Sequence, residues 1–277
     1  MASEIRMFHR VMPALPAAFD VPDCYRLRGT AVTLDELRET IDDDIIPLER
    51  VHHALARGAE PPDGIVLTFD DGYVEWPAVA MALGVPATWL ICETFRAEAP
   101  RAHPIDALYW LLDHATRPEL TWKGAKWRLD DPTSKRQLVT EGPIKFAIAR
   151  GPDPWSVLDA VAESLAVELP DDLPRRLYMD AQGRATLDAL GLIGAHGRTH
   201  RPMTGLDDRA LLDELRRPVA TPGVLAWPDG DHDARTVEAA RAAGFDLALT
   251  CEPGVVRRGA DPLRLPRIFV RPRFEPG

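Results

Sequence analysis

The sequence predicts an α/β fold, a distorted (β/α) barrel of about seven parallel strands with a mostly helical insertion. Short apolar runs alternate along the chain with segments of helical periodicity, which is typical of barrels and doubly wound sheets. The apolar runs are continuous, as expected for strands that are covered on both faces. With 277 residues, 45% of them hydrophobic, the chain can bury the core of one such domain, predicted to span residues 1–277.

The predicted strands and helices follow one another in a regular order. The strands are predicted at residues 5–8, 65–69, 87–91, 192–195, 224–227, 247–249 and 268–270. Helices are predicted at residues 34–41, 46–56, 76–83 and 233–243. Thr33 is a suitable N-cap for the first helix, and Gly84 and Gly244 end the third and fourth.

The stretch from about residue 97 to residue 190 interrupts this order and is predicted to be the insertion; we call this segment the excursion. It has helical patterns at 104–115, 132–150, 154–167 and 181–190, with a hairpin at 122–129. We interpret it either as a surface insertion that packs on the barrel or as a lid or substrate wall, since such excursions often carry specificity. Four tryptophans favour the second interpretation: Trp110, Trp122, Trp127 and Trp155.

Composition excludes several classes of partner. The formal net charge is -10, so binding to nucleic acid or to an anionic membrane surface gains nothing from phosphate neutralisation. No segment has the roughly 20 apolar residues of a membrane span, and the first 20 residues have no signal-peptide core, so a cytoplasmic protein is expected. The three cysteines form no CxxC pair and predict neither a disulfide framework nor a thiolate metal site. The oligomeric state is not predicted.

The motif TFDDGY at residues 68–73 places two carboxylates directly after a predicted strand. Adjacent side chains leave a strand in different directions, so that Asp71 can bind a metal ion while Asp70 faces a reacting water. Gly72 permits the tight turn that aims both side chains. A solvated Asp-Gly turn is the alternative interpretation.

The motif HGRTH at residues 196–200 also follows a predicted strand. His196 and His200, at positions i and i+4, are predicted to share a helical face and to bind one ion. Two exposed histidines at a helix start are the alternative. In parallel α/β folds the carboxyl ends of the strands lie on one face, so Asp71, His196 and His200 are expected to form a three-ligand catalytic metal site.

These motifs, together with AWPDG at 226–230 and GVPAT at 84–88, resemble those of the NodB-type polysaccharide deacetylases, carbohydrate esterase family 4. The motif resemblance covers roughly residues 1–96 and 180–271. It implies a hydrolase that removes an N-acyl group, acetyl first of all, from an amino sugar. The cofactor implied is a divalent metal ion, with zinc preferred and cobalt, nickel or iron as alternatives.

Carried over to this chain, the resemblance implies a role for each motif residue. Asp70 is the general base, and Asp71, His196 and His200 bind the metal. A backbone N–H near Asp229 contributes to an oxyanion hole. We also expect Trp227, beside this donor, to lie either against a sugar ring or in the barrel core.

The sequence departs from the family pattern at three points. Gly197 stands where many members have serine or threonine. The arginine of the third motif is missing, and Arg267 is the candidate to replace it as the partner of Asp70. The carboxy-terminal Leu-x-x-His that supplies the general acid is also absent. Some permuted relatives resembling the poly-N-acetylglucosamine deacetylases carry this histidine on the first strand, so His9 is the predicted general acid, with a structural histidine at the strand exit as the alternative.

Other functions are compatible with parts of this pattern. Two histidines and one carboxylate also describe non-haem iron oxygenases, but the separation of the ligands by helices disfavours that fold. A non-catalytic carbohydrate-binding relative is disfavoured because Asp70, Asp71, His196 and His200 are all present. An N-deformylase or a cyclic-amide hydrolase would use the same residues, and the sequence leaves these open. The substrate is expected to be small, monomeric or nucleotide-linked, rather than a polymer.

Overall fold

The seven predicted apolar runs form one parallel sheet in the computed structural model, which describes residues 2–12, 21–41, 44–151, 153–216 and 223–273. The strands are β1 (Ser3–Phe8), β2 (Arg10–Met12), β3 (Ala31–Thr33), β4 (Gly64–Asp71), β5 (Thr88–Ile91), β6 (Glu119–Trp122), β7 (Ala125–Arg128), β8 (Leu192–Ala195), β9 (Val224–Ala226), β10 (Leu247–Leu249) and β11 (Ile268–Phe269). The sheet has the order β10-β9-β8-β5-β4-β1-β11, and each neighbouring pair is parallel.

The sheet curls so that its two edges approach each other through one segment. The N–H of Leu265 donates to the carbonyl of Ala248, and the N–H of Thr250 donates to the carbonyl of Leu265, which places Leu265 beside β10. A few residues later, β11 pairs with β1 at the opposite edge. The fold is therefore the distorted (β/α) barrel that the sequence predicts.

Alternate residues of the strands pack in different core clusters. Ile5, Val66, Leu90, Leu247 and Leu265 pack together in one cluster with residues of the segment 46–51. Residues of opposite parity, such as Leu67 and Phe69, pack in another cluster with the helices of the excursion. Because strand side chains alternate between faces, Thr68 and Asp70 follow Val66 towards the first of these clusters.

Helices surround the sheet and fill the excursion. They are α1 (Asp23–Arg28), α2 (Leu34–Glu39), α3 (Leu48–Ala56), α4 (Trp76–Leu83), α5 (Pro104–Asp113), α6 (Pro132–Glu141), α7 (Pro143–Arg150), α8 (Pro154–Leu165), α9 (Leu173–Leu177), α10 (Ala181–Leu190), α11 (Asp208–Glu214) and α12 (Ala234–Ala242). The side chain of Thr33 forms the expected cap of α2, a capping box with Glu36. No helix in the described ranges is long and apolar enough to cross a membrane.

Two details of the excursion differ from the sequence prediction. The helix predicted at 132–150 is divided into α6 and α7 because Gly142 adopts an extended conformation, φ −61° and ψ 139°, directly before Pro143. Proline disfavours a helical conformation of the residue before it and has no N–H to continue the ladder. The hairpin starts earlier than predicted, at β6, and turns at Lys123 and Gly124, which both have positive φ.

Candidate active site

The two aspartates of the first motif lie at the carboxyl end of β4, where the backbone is strained. Both side chains are buried. Asp71 has φ 101°, a value that non-glycine residues rarely adopt, and Gly72 follows with φ 127°. This turn lets the two adjacent carboxylates reach one site from different directions, as the sequence predicts.

The two histidines of the second motif meet through a loop and not on a helix, so the helical arrangement predicted from their spacing is wrong. Gly197 and His200 have φ of 73° and 62°, and both values interrupt helical geometry in the loop after β8. The loop turns back on itself and brings the imidazole centroids of His196 and His200 to 4.8 Å from each other.

Asp71, His196 and His200 lie close enough together to be able to hold one metal ion. One candidate ligand atom from each lies within 4.8 Å of the others. Asp71 Oδ1 is 3.5 Å from Nε2 of both histidines, and it is buried without a hydrogen-bond partner among the described residues. Burial raises the pKa of Asp71 to about 7, against the attraction of His200. A buried carboxylate oxygen that faces two imidazole nitrogens fits a divalent cation.

Neighbouring groups orient these ligands. His196 Nδ1 lies 3.0 Å from the carbonyl oxygen of Ala226, which can only accept, so Nδ1 carries the proton and Nε2 is free for a metal. The buried carboxylate of Glu214 accepts hydrogen bonds from the N–H of Arg198 at 2.9 Å and of Thr199 at 2.8 Å, and from the Thr199 hydroxyl. Glu214 thus fixes the loop between the two histidines.

Gly197 fits this loop for two reasons. Its φ is positive, and a Cβ at this position would lie 3.1 Å from Glu214 Oε2 and 3.2 Å from Pro228 Cγ. A serine or threonine, the residue common in the resembling family, would displace Glu214 or the third-motif loop. The glycine is therefore coupled to the position of Glu214, and the hydroxyl in this loop comes from Thr199.

Asp70 is held by Arg267 in a buried, bidentate ion pair. Arg267 Nη1 and Nη2 donate to Asp70 Oδ1 and Oδ2, each at 2.7 Å. Burial alone would raise the pKa of Asp70, but Arg267 and His196 lower it to about 2. The carboxylate of Asp70 is thus ionised and fixed in orientation. Arg267 makes the contact with Asp70 that the arginine of the third motif makes in the resembling family.

His9 lies at the end of β1, beside the same site. Its ring packs edge-on against Phe269 at 5.5 Å, and its Nδ1 is buried without a hydrogen-bond partner in the described chain. Burial lowers the pKa of His9 to about 3, although Asp70 opposes this shift. The imidazole is therefore neutral at pH 7.

The third motif places Asp229 at the site and removes Trp227 from it. Asp229 is exposed, has φ 54°, and lines the same cavity as His9 and His200. Trp227 is completely buried, and its Nε1 donates to the carbonyl of Leu263. Of the two alternatives for Trp227, the structure shows the barrel core and not contact with a sugar ring, because alternation along the chain turns the indole ring into the core.

A buried carboxylate from the excursion joins the site and was not predicted. Asp106 accepts hydrogen bonds from the hydroxyls of Tyr25, Tyr178 and Tyr73, the last two at 2.5 and 3.4 Å. Tyr73 closes the TFDDGY motif, so this network connects α5 to the strained turn. The only sequence signal was one acidic residue in the apolar run of α5.

The site opens into two neighbouring cavities of about 210 and 250 Å³. They share four lining residues: His9, Arg28, His200 and Asp229. The larger cavity reaches Asp70 and His196, and the smaller one reaches Asp71 and is lined on one side by the excursion, including His103 and Lys145. The excursion therefore forms a wall of the candidate site.

The structure is similar to those of solved deacetylases. The deacetylase domain of BpsB from Bordetella bronchiseptica superposes with a TM-score of 0.53 at 17% identity, over 98% of this chain and 96% of that chain. A de-N-acetylase from Aggregatibacter actinomycetemcomitans gives 0.52 at 12%, over 98% and 95%. The deacetylase PplD of Streptococcus pyogenes, solved with acetate, gives 0.51 at 15%, over 98% and 93%.

The similarity at these low identities defines the fold, which is that of the NodB-type polysaccharide deacetylases. No protein-family model matches the chain, and no curated protein matches it.

Proposed function

We propose that this chain is a metal-dependent amide hydrolase that removes an N-acyl group, acetyl first of all, from an amino sugar or a small molecule that contains one. One observation carries the proposal. Asp71, His196 and His200 converge at the carboxyl face of a deacetylase-type barrel, directly beside the ionised and oriented Asp70.

The three residues would hold one divalent cation, and their two imidazoles and single carboxylate suit zinc, with cobalt, nickel or iron as alternatives. Such an ion, when bound, polarises the amide carbonyl and lowers the pKa of a bound water. The loop built on Glu214 keeps the two imidazoles in position, and the Nδ1 contact of His196 leaves its Nε2 free.

Asp70 would accept the proton of the attacking water. The ion pair with Arg267 uses one lone pair of each carboxylate oxygen, so that a second lone pair remains available. A pKa of about 2 keeps Asp70 ionised across the neutral range. Backbone N–H groups at Asp229 would donate to the oxygen on which negative charge develops.

His9 would deliver a proton to the leaving nitrogen. The imidazole is neutral in the free protein, because burial lowers its pKa to about 3. It would therefore have to take up the proton that Asp70 accepts from the water before the nitrogen leaves, when negative charge develops beside it and raises its pKa. His9 lines both cavities, so it is accessible to substrate from either one.

The first test measures bound metal and turnover together. Asp71→Ala, His196→Ala and His200→Ala should each lower the zinc content and the hydrolysis of N-acetyl amino sugars, because each variant loses one ligand. His53→Ala, which changes an exposed histidine on α3, is the matched control and should retain both. Full zinc occupancy in all three ligand variants would refute the assignment.

The same assays distinguish the base from the ligands. Asp70→Asn should retain zinc and lose turnover by about 10²–10⁴-fold, since the amide cannot accept the water proton. Retained zinc also demonstrates that the site is folded, although Arg267 has lost its counter-charge. Near-normal turnover of a zinc-loaded Asp70→Asn protein would mean that another group is the base.

A further inference from the structure

Basic side chains from three separate elements line the smaller cavity of the candidate site. Arg28 ends α1, Lys145 lies on α7 in the excursion, and Arg201 directly follows the second metal histidine. The same cavity contains Asp71 and His200. This concentration of positive charge is opposite in sign to the net charge of the chain, which is -10.

Arg28 and Lys145 have no carboxylate partner at contact distance. Among the described residues, no carboxylate oxygen lies within 4.0 Å of either charged group. Both side chains are partly buried, so water compensates their charges incompletely. Burial and the neighbouring Arg28 lower the pKa of Lys145 to about 8, while Asp229 opposes the shift. The two cations therefore face one space and repel each other.

The carboxylates that line the cavity do not neutralise this charge. Asp71 faces the two histidines and Asp106 faces three tyrosine hydroxyls, so that neither carboxylate forms an ion pair with Arg28 or Lys145. Asp229 is the third, and it is an exposed side chain that attracts both basic groups without touching them. None of the three carboxylates that line the cavity therefore contacts Arg28 or Lys145.

We propose that Arg28 and Lys145 form a subsite for an anionic group, a phosphate or a carboxylate, that is attached to the acylated amino sugar. The inference rests on the proposed function and specifies its substrate class. Guanidinium can bind either anion through two parallel hydrogen bonds, and the lysine ammonium adds a point charge. Because the subsite and the metal residues line one cavity, the anion fixes which acyl group reaches Asp71 and His200.

The test compares neutral and anionic N-acetyl sugars with the metal-reconstituted enzyme. The substrates are N-acetylglucosamine, its 1-phosphate, its uridine diphosphate conjugate and N-acetylmuramic acid. We expect kcat/KM to be about tenfold or more higher for at least one anionic substrate, as for hydrogen bonds to charged groups. The phosphate and carboxylate arms then distinguish the two sources of the anion.

Variants assign the preference to the two cations. In Arg28→Gln and Lys145→Gln the ratio of anionic to neutral kcat/KM should fall towards one. Lys126→Gln and Arg258→Gln remove exposed positive charges that do not line either cavity and should keep the ratio. A preference for anionic substrates that survives both cavity variants would overturn the assignment of Arg28 and Lys145.

The two proposals fail in different ways. Equal kcat/KM for neutral and anionic sugars would refute the anion subsite and leave the deacylase proposal intact. If no N-acyl sugar is cleaved, the deacylase proposal fails, and calorimetry with glucosamine 1-phosphate decides the subsite. Binding that weakens about tenfold in both cavity variants supports the subsite, and equal binding by wild type and variants refutes it.

Discussion

Backbone strain is concentrated at the residues that would do the chemistry. Five non-glycine residues in the described ranges have positive φ, and three of them are Asp71, His200 and Asp229. Such conformations cost about 1–3 kcal/mol each and persist only where surrounding contacts determine them. The contacts are present: Glu214 fixes the loop of His200, and Asp71 is the last residue of the buried strand β4, where it pairs with Ile91 of β5. The geometry of this site thus lowers the free energy of unfolding of the folded chain.

Gly197 gives a prediction at this scale. Gly197→Ala should lower stability by about 1–2 kcal/mol, because a Cβ is disfavoured at φ 73°. It should also lower zinc affinity by about 10–100-fold, since the added carbon would displace Glu214, which orients the histidine loop. Urea unfolding and a chelator competition measure the two effects.

Gly205→Ala is the matched control for this substitution. A Cβ on Gly205 would have no heavy atom within 4 Å, and Gly205 has no positive φ, so this variant should change neither quantity. If Gly197→Ala binds zinc as tightly as Gly205→Ala does, the loop does not depend on Glu214 in the way described above.

Site residues within motifs could be predicted from the sequence, and residues outside them could not. Asp70, Asp71, His196 and His200 lie in two short motifs after strands, and the barrel brings strand ends together. Arg267 was found through the arginine missing from the third motif. Asp106 reaches the site from the excursion, 33 residues away from Tyr73, and only the folded chain shows that three tyrosines surround it.

At the scale of elements, the excursion is fastened to the barrel through α5. Asp106 on α5 accepts from Tyr25 of α1, from Tyr73 after β4 and from Tyr178 after α9. A second buried contact is the bidentate ion pair of Arg10 and Glu75. The guanidinium of Arg10 packs against the rings of both Tyr25 and Tyr73. These polar contacts fix the position of α5, which lines the cavity, relative to Asp71 and His200.

Asp106→Ala tests this fastening. The substitution leaves three buried tyrosine hydroxyls without their acceptor, and we expect the free energy of unfolding to fall by about 2 kcal/mol or more. It should also raise KM and leave the zinc content nearly unchanged, because the excursion shifts at the cavity while Asp71, His196 and His200 stay in place. Urea denaturation, elemental analysis and steady-state kinetics measure these changes.

The control for this variant is Asp130→Ala. Asp130 pairs only with Arg128 in the described chain, and both side chains are largely exposed, so the denaturation midpoint should not change. An Asp106→Ala protein with the unfolding curve and KM of wild type would mean that the excursion is held by apolar packing alone.

The element boundaries illustrate where sequence patterns are reliable. Continuous apolar runs predicted all seven barrel strands, because a strand that is buried on both faces needs apolar residues at nearly every position. Spacing alone was misleading for His196 and His200, since an i, i+4 pair can also meet across a loop that turns at residues with positive φ. The break at Gly142 and Pro143 was visible in the sequence, but helical periodicity continued across it.

At the scale of the whole molecule, topology assembles the site. Asp70 and Asp71 lie at the end of β4, and His9 directly follows β1. His196 directly follows β8, and Asp229 lies in the loop after β9. These strands are parallel and lie in the order β9-β8-β5-β4-β1, so their carboxyl ends share one face. Residues more than 200 positions apart therefore meet without any long-range signal in the sequence.

The size of the site predicts the length of the substrate. The cavities of about 210 and 250 Å³ share four lining residues, and together they fall at the lower end of the range for small-molecule sites, about 300–1,000 Å³. His103, Asp106 and Lys145 of the excursion line one of them, so the wall narrows the space above the metal residues. We therefore expect single-residue N-acyl amino sugars to be cleaved with higher kcat/KM than oligomers.

A chain-length series of one acetylated sugar, from one to six residues, decides this point. A narrow cavity offers contacts to the first residue only, so kcat/KM should be highest for the shortest substrates and fall as further residues meet the wall. Asp106→Ala, which loosens the wall, should reduce this discrimination, whereas Asp130→Ala should keep it. A kcat/KM that rises steadily through four or more residues would require an extended groove, and the excursion would then have to form the floor of that groove instead of its end.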